Sequence, residues 1–239
     1  MIGESIWLDK ALDLLFPPRC VACGRLGEWL CADCQRTIEI IPPPVCRFCA
    51  LPLPAPGSSN SDACPRCQTR KQVLDGLVAY AFHNGPLRRA VHELKYSGLR
   101  SLARPLGRLM AERWPQLRPA DQPFDVIVPV PLHRRRERER GYNQAALLAR
   151  ELGRRLQLPV VEHVLTRRRA TSRQTDLDAA QRRANVQGAF SCRSDDLSRQ
   201  AILLIDDVCT TGSTLEAAGS ALKAAGAAAV WGYTLTRAH

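Results

Sequence analysis

The sequence predicts an α/β fold built on a parallel sheet, preceded by a small metal-binding module. Two observations lead to this prediction. Apolar runs that suit buried strands alternate with helical patterns from residue 76 onward. Eight of the ten cysteines lie between Cys20 and Cys67, where regular hydrophobic patterns are scarce. We expect the module to span residues 1–70 and the α/β domain to span residues 71–239.

The composition is that of a globular protein. The chain has 239 residues, of which 45% are hydrophobic and 24% charged, and its formal net charge is +11. No apolar stretch approaches the roughly 18 to 20 residues that span a bilayer, so we expect no membrane insertion. Residues 1–16 carry Glu4 and Asp9 where a secretion signal has positive charge. We therefore expect a cytoplasmic protein.

The eight clustered cysteines form four C-x-x-C pairs. These are Cys20 and Cys23, Cys31 and Cys34, Cys46 and Cys49, and Cys64 and Cys67. Two such pairs supply the four thiolates of a tetrahedral zinc shell, so four pairs supply two shells. We expect structural zinc, because a reducing cytoplasm disfavours disulfides and a thioredoxin-like redox motif needs one pair rather than four.

Sequence order assigns the first four of these cysteines to one ion and the last four to the other, and an interleaved pairing stays open. Protein thiolates fill each shell, so a catalytic zinc with an open position is not expected. The proline-rich residues 42–44 and 52–56 exclude regular structure in a module that has few core-forming residues. Metal binding is therefore expected to supply most of its folding free energy.

The remaining elements are predicted from hydrophobic periodicity. A short amphipathic helix is expected before the cysteines, over residues 4–15. Strands are predicted over residues 76–82, 124–131, 160–165, 201–208 and 229–235. Helices are predicted over residues 87–94, 99–114, 143–156 and 213–225. Continuous apolar strands separated by helices indicate a parallel sheet covered on both faces.

Residues 202–214 form the most informative segment. A predicted strand ends in Asp206 and Asp207 and leads through a Thr- and Gly-containing loop into a helix. Ser213 and Glu216 have the spacing of a capping box, which predicts that Ser213 caps this helix. Ligands bind beyond the carboxyl ends of strands in open parallel sheets, so we expect a ligand here.

The loop has the donors of a phosphate site, namely backbone N–H groups, hydroxyls and the positive end of a helix dipole. Its candidate binding residues are Thr210, Thr211, Gly212, Ser213 and Thr214. The adjacent carboxylates suit the hydroxyls of a ribose or a Mg²⁺ ion, because unpaired buried charge is costly in a core. Cys209 has two interpretations: a thiol whose pKa the helix lowers, or a small filler.

This segment resembles the phosphoribosyl pyrophosphate (PRPP) motif of type I phosphoribosyltransferases. With its four C-x-x-C pairs, the chain is similar to the ComF family, whose members join a double zinc ribbon to a phosphoribosyltransferase-like domain and include proteins of DNA uptake and utilisation. Residues 94–96, 129–132, 138–144 and 174–190 also match that family's pattern. The resemblance covers essentially the whole chain.

The resemblance implies a phosphoribosyltransferase-like (Rossmann-like) domain that binds PRPP with Mg²⁺. It assigns Asp206 and Asp207 to the ribose hydroxyls and residues 210–214 to the 5-phosphate. Candidates for contacts with the pyrophosphate or with DNA are Lys95, His133, Arg134, Arg140, Arg173 and Arg183. Thr210 stands where 6-oxopurine enzymes have an aspartate that handles a base proton, so hypoxanthine and guanine are not expected substrates.

The positive charge permits phosphate partners without identifying one. Arginine outnumbers lysine 30 to 4, which a GC-rich genome explains in part and bidentate phosphate binding explains in part. Proteins that bind single strands usually add aromatic stacking platforms. Trp29, Phe48 and Tyr142 are the candidates for such a role.

Three functions fit these features. The first is a ComF-like protein that binds PRPP and single-stranded DNA during DNA uptake or utilisation. The second is an active phosphoribosyltransferase acting on an unidentified base or nucleophile; no catalytic or acceptor-binding residue is identifiable. The third is a PRPP-sensing adaptor whose zinc module docks a protein partner. The sequence does not predict the oligomeric state.

Overall fold

A computed structural model describes residues 17–53, 62–169, 188–193 and 197–238. The helix expected over residues 4–15 therefore lies outside the described residues. Two short helices belong to the cysteine-rich part, α1 (Ala32–Arg36) and α2 (Pro65–Gln68). Each begins directly after a cysteine, with Cys31 and Cys64 as the N-cap residues.

The rest of the described chain alternates strands and helices. In order these are β1 (Gly76–Phe82), α3 (Gly85–Tyr96), a 3₁₀ turn (Arg100–Leu102), α4 (Ala103–Leu117), β2 (Val126–Pro129), α5 (Arg134–Arg140), α6 (Gln144–Leu156), β3 (Leu165–Arg167), β4 (Phe190–Cys192), β5 (Ala201–Cys209), α7 (Ser213–Ala224) and β6 (Ala229–Arg237). Among these described helices, none combines the length and apolarity needed to cross a bilayer.

Four strands form one parallel sheet in the order β1-β6-β5-β2. Successive residues of a strand point to opposite faces, and both faces of β5 are buried. Leu203 and Ile205 pack in the cluster that holds the apolar sides of α4 and α6, whereas Ile202 and Leu204 pack in the cluster that holds α7. The prediction of a parallel sheet covered on both faces is confirmed.

Strand β1 lies at one edge of the sheet, and the cysteine-rich module covers it. Ile40 forms an antiparallel bridge with Ala81. The backbone N–H of Leu77 donates to Arg47 O at 2.7 Å, and that of Phe82 donates to Glu39 O at 2.9 Å. All seven residues of β1 are buried although it is an edge strand, so the module completes the fold at this edge.

The strand predicted over residues 160–165 is wrong in its extent. Val160 forms a single parallel bridge with Ile127, and regular pairing begins at Leu165, where β3 pairs antiparallel with β4. The apolar run therefore belongs to two structures. Its first residues extend the sheet edge at one point, and its end starts a separate two-stranded sheet.

The arginine-rich residues 134–140 form helix α5. None of its residues is buried, so hydrophobic periodicity carries no signal for it. His133 is its N-cap and accepts a hydrogen bond from Arg135 N at 3.2 Å. One turn apart, the Arg135 and Glu139 side chains form an ion pair at 2.8 Å, which supports an exposed helix.

Candidate functional site

The candidate site lies at the carboxyl end of β5. Asp206 and Asp207 belong to this strand and are 9% and 3% exposed. Asp206 lies opposite Thr234 of β6, and its Oδ1 accepts a hydrogen bond of 2.9 Å from the Asp207 backbone N–H. Two adjacent carboxyl groups are therefore buried near the carboxyl ends of the strands, where ligands bind in parallel folds.

Lys95 provides the counter-charge for this pair. It lies in the last turn of α3, and its Nζ is 2.7 Å from Asp207 Oδ2. Burial acts to raise the pKa of Asp207, but the charge and hydrogen bond of Lys95 outweigh burial and hold that pKa below its ordinary value. Asp207 is therefore a buried anion with a dedicated cation.

Asp206 has the opposite behaviour. Burial, and then the negative charge of Asp207, raise the pKa of Asp206 to about 8. Two neighbouring carboxyl groups in a buried site do not both ionise readily. Near neutral pH, Asp206 is thus the member of the pair whose charge responds to a bound cation or hydroxyl group.

The loop after β5 turns into α7 at Gly212, which has a φ of +82° and is the N-cap residue. That conformation favours glycine because it has no Cβ. The predicted cap at Ser213 is wrong, since Ser213 is already the first helical residue and Glu216 N donates to Gly212 O at 2.9 Å. The Thr211 hydroxyl oxygen instead accepts a hydrogen bond from Ser213 N at 3.3 Å.

The geometry of this loop suits an anion. Helix α7 has twelve residues, so the positive end of its dipole and its first backbone N–H groups face residues 210–214. The Thr211 and Ser213 hydroxyl oxygens lie 2.7 Å apart. Hydroxyls, amides and a helix dipole converge on one turn, which is the donor set that binds phosphate.

Arg237 lies next to the loop, at the end of β6. It is 3% exposed, and its guanidinium donates to the carbonyl oxygens of Cys209 (3.2 Å), Thr210 and Ala238. Its Nε donates to Cys49 O at 2.7 Å. Because Cys49 belongs to a C-x-x-C pair, one buried side chain connects the cysteine-rich module to the loop.

Cys209 is a buried filler at the start of the loop. Burial raises its pKa to about 11. The interpretation of Cys209 as a thiol with a lowered pKa is therefore wrong, because burial outweighs the helix terminus and the nearby charge of Arg237.

The eight clustered cysteines form two groups of four. One group contains Cys20, Cys23, Cys31 and Cys34, and the other contains Cys46, Cys49, Cys64 and Cys67. Within each group the sulfur atoms all lie within 4.8 Å of one another. The pairing follows sequence order, so the interleaved alternative is wrong.

Both groups fit zinc. A tetrahedral ion with Zn–S bonds of about 2.3 Å needs sulfur atoms about 3.8 Å apart. The Sγ atoms of Cys23 and Cys31 are 3.6 Å apart, and those of Cys49 and Cys64 are 3.8 Å apart. The backbone N–H of Cys64 points at Cys46 Sγ at 3.3 Å, which suits a thiolate.

The sequence matches two domain families and three groups of characterised relatives. Residues 11–68 match the double zinc ribbon domain, and residues 118–238 match the phosphoribosyl transferase domain. Competence protein F of Haemophilus influenzae is 32% identical over 92% of this chain and 97% of its own. DNA utilization protein YhgH of Escherichia coli K12 is 34% identical over 94% of this chain and 99% of its own. The chain belongs to the ComF family.

A third ComF relative is more distant. Competence protein ComFC of Bacillus subtilis is 28% identical over 88% of this chain and 85% of its own. Among solved structures, glutamine PRPP amidotransferase of B. subtilis aligns with 56% of this chain and 26% of its own, at 19% identity and a TM-score of 0.39. That likeness is too low to carry an argument. The ComF membership rests on the sequence relatives and the two domain matches.

The basic residues predicted to contact pyrophosphate or DNA lie in different places around the candidate site. Lys95 contacts Asp207 directly, and the positive charge of Arg140 also acts to lower the pKa of Asp207. Arg134 lines a cavity of about 490 Å³ beside the residues that follow β2. His133 uses a ring nitrogen to cap α5. Arg173 and Arg183 lie outside the described residues.

The three aromatic candidates do not form exposed platforms. Tyr142 is 7% exposed and its hydroxyl donates to the Leu94 carbonyl, so its predicted stacking role is wrong. Trp29 is half-buried against the main core, and Phe48 is half-buried against the second cysteine group. Within the described ranges, the aromatic side chain that is exposed is Tyr96, at 70%.

The sequence did not single out two arginines that lie near the candidate site, Arg167 and Arg237. Burial, and then the charge of Arg136, lower the pKa of Arg167, while the Asp206 carboxylate acts to raise it. Arg167 therefore lies within electrostatic range of Asp206. Arg237 ends an otherwise apolar strand pattern, and a buried charge at that position is the signal that points to a structural role.

Proposed function

We propose that this ComF protein binds PRPP with Mg²⁺, binds single-stranded DNA, and acts in the cytoplasm during DNA uptake or utilisation. The competence and DNA utilization names of its relatives and its phosphoribosyl transferase domain support this role. The observation that carries the PRPP assignment is the buried pair Asp206 and Asp207, which directly precedes a loop and helix terminus suited to phosphate.

The two carboxyl groups suit vicinal hydroxyls. Asp207 is anionic through Lys95, and a charged acceptor forms hydrogen bonds roughly twice as strong as a neutral one. Residues 210–214, which follow the carboxyl end of β5, would hold the 5-phosphate beside these carboxyl groups. A ribose 5-phosphate would thus lie between acceptors for its hydroxyls and donors for its phosphate, which is the polarity that PRPP requires.

Mg²⁺ would neutralise part of the pyrophosphate charge. This ion usually keeps several water ligands and is held by substrate phosphates and one or two carboxylates. The pKa of Asp206 is raised, so a bound cation would favour its ionised form and release its proton to solvent, and Asp206 is the residue we assign to the ion or its water ligands. Lys95 and Arg140 would supply further positive charge near the pyrophosphate.

Calorimetric titration of the full chain with PRPP and Mg²⁺ tests this assignment. The double variant Asp206→Asn, Asp207→Asn should weaken binding by at least about tenfold to hundredfold, because each hydrogen bond to a charged group contributes about 1.5–3 kcal/mol. Circular dichroism would establish that the variant is folded. Unchanged affinity in a folded double variant would remove the PRPP assignment.

Asp75→Asn is the matched control. Asp75 also pairs with a lysine at 2.7 Å, Lys223, but it precedes β1 and lies at the opposite end of the sheet. It should bind PRPP as the unaltered chain does. Pyrophosphate release measured over a panel of bases and nucleosides would separate binding from transfer, since release with one acceptor would favour the transferase function.

A further inference from the structure

Tyr96 is an exposed aromatic ring at the end of α3. Of the large hydrophobic side chains in the described part of the chain, Tyr96 and Leu26 are the exposed ones, at 70% and 53%. A single exposed aromatic ring needs no special explanation. Tyr96 differs from Leu26 in its surroundings, because cationic side chains lie around Tyr96 and it lines a cavity.

Two side chains orient the Tyr96 ring. The His92 ring, one helical turn earlier, lies 5.0 Å from it between centroids at an interplanar angle of 50°. The Arg140 guanidinium lies 5.5 Å from the Tyr96 centroid, within the range of a cation–π contact. The ring is thus held by contacts on two sides while most of its surface faces solvent.

The Tyr96 ring forms part of the wall of a cavity of about 600 Å³. Lys95, Arg88 and Arg89 line the same cavity, together with the acid Glu93. Lys95 also contacts Asp207, so the cavity adjoins the proposed PRPP site. An exposed aromatic ring in a cationic wall is the combination with which proteins bind single strands, since bases stack on the ring and the phosphates meet the cations.

We propose that Tyr96 is the stacking platform for one base of single-stranded DNA, with a flanking phosphate on Arg88. This inference rests on the proposed binding of single-stranded DNA and names the surface that performs it. Lys95 directly precedes Tyr96 at the same helix end, so the DNA would lie beside the ribose that Asp207 would hold. Arg88 is exposed on the same helix, two turns before Tyr96.

Paired oligonucleotides separate stacking from charge. Fluorescence anisotropy would compare an oligothymidine with an abasic strand of the same length, which has the phosphates and lacks the bases. The unaltered chain should prefer oligothymidine, and Tyr96→Ala should weaken oligothymidine binding about tenfold to hundredfold while leaving abasic binding unchanged. Arg88→Gln should weaken both strands equally and flatten their salt dependence.

Leu26→Ala is the control, because it removes the other exposed large hydrophobic side chain. It should leave the preference for oligothymidine intact. Tyr96→Trp gives a direct signal, since the fluorescence it adds should be quenched by oligothymidine and not by the abasic strand. A Tyr96→Ala variant that keeps the full preference, or a Tyr96→Trp variant without selective quenching, would overturn the platform.

PRPP calorimetry on Tyr96→Ala distinguishes this inference from the proposed function. Unchanged PRPP affinity is expected because, within the described ranges, the ring contacts of Tyr96 are with His92 and Arg140 and not with Asp206 or residues 210–214. Binding of both strands without base preference refutes the platform and leaves DNA binding in place. No retention of either strand by the unaltered chain refutes DNA binding and the platform together.

Discussion

The Nζ of Lys95 lies 2.7 Å from Oδ2 of Asp207 in a site where the two side chains are 20% and 4% exposed. The pair joins the end of helix α3 to the end of strand β5. It holds one carboxyl group of an adjacent pair in its charged form while the other, Asp206, has a pKa of about 8. The charge state of the candidate site therefore depends on a residue from a different element.

Lys95→Met should weaken PRPP binding and lower the stability of the folded chain. Removing one partner of a buried pair leaves an uncompensated charge and costs about 3 kcal/mol. The pKa of Asp207 should rise, because the charge that lowers it is gone. Calorimetry and urea unfolding measure the two effects. Lys223→Met, which breaks the half-buried pair with Asp75, should leave PRPP affinity unchanged; an equal loss of PRPP affinity in both variants would contradict the role of Lys95.

Stability should fall as pH rises from about 4 to 8, by up to about 1 kcal/mol per pH unit from Asp206 alone. The folded chain binds the Asp206 proton over this window, since its pKa is raised to about 8, whereas the unfolded chain releases it near the ordinary value. Urea unfolding across this range measures the slope. Asp206→Asn should remove this contribution, and an identical slope in that variant would show that Asp206 does not titrate here.

Ligand affinity should respond to the same proton in the opposite direction. If Mg²⁺ and PRPP bind the ionised form of Asp206, their affinity should increase as pH rises toward 8 and level off above it. The pKa of Asp207 is lowered, so the stability that its charge contributes is lost only as pH falls below the ordinary pKa of an aspartate. PRPP titrations at several pH values test this dependence, and Asp206→Asn should retain only the part of the pH response that comes from ionisation of the PRPP phosphates at about pH 6.

Arg237→Met should loosen the phosphate loop without removing any residue that touches ligand. The substitution takes the Arg237 donors away from the part-buried carbonyls of Thr210 and Cys49, whereas Cys209 O keeps its hydrogen bond from Ala238 N. Each part-buried carbonyl left without a partner costs up to about 1–3 kcal/mol. Faster amide hydrogen exchange in residues 209–212 and weaker PRPP binding are expected. Arg150→Met removes an exposed guanidinium that pairs with Glu162 and should change neither measurement.

Metal analysis should find two zinc ions per chain, and Cys20→Ser and Cys46→Ser should each lose one. The expectation follows from the two separate groups of four sulfur atoms, because a shell with three thiolates binds zinc more weakly. Chelation should unfold the cysteine-rich part first. Loss of both ions from either single variant would show that the two sites fold as one.

The elements that the sequence predicts well are those with strong local patterns. The apolar run of β5 and the helical face of α6 through Ala145, Leu148, Ala149 and Leu152 both lie where periodicity places them. The four C-x-x-C pairs also predict two zinc groups, although their spacing leaves the interleaved pairing open until the structure is known. The cap of α7 is one residue away from its prediction, because Gly212 adopts a positive φ that the Ser-x-x-Glu pattern does not contain.

The contacts of the site depend on distant parts of the chain. Lys95 was identifiable as a basic candidate, but its pairing with Asp207 arises because α3 ends beside the carboxyl end of β5. Tyr142 and Tyr96 are the same residue type, yet packing buries Tyr142 and leaves Tyr96 exposed. Arg237 meets Cys49 only because the cysteine-rich module packs against the sheet. Hydrophobic periodicity and motif spacing do not predict such contacts between distant parts of the chain.

The covering of β1 by residues 39–47 affects how partner docking can be studied. Deleting residues 1–70 would bare the N–H and C=O groups of an apolar edge strand, and such edges recruit other strands and aggregate. A pull-down with the shortened chain would then report misassembly together with any lost partner. Point substitutions on the outer surface of the module, made in the full chain, keep the edge capped. In this protein the zinc ribbon is an integral part of the fold, because its removal would leave strand β1 uncovered.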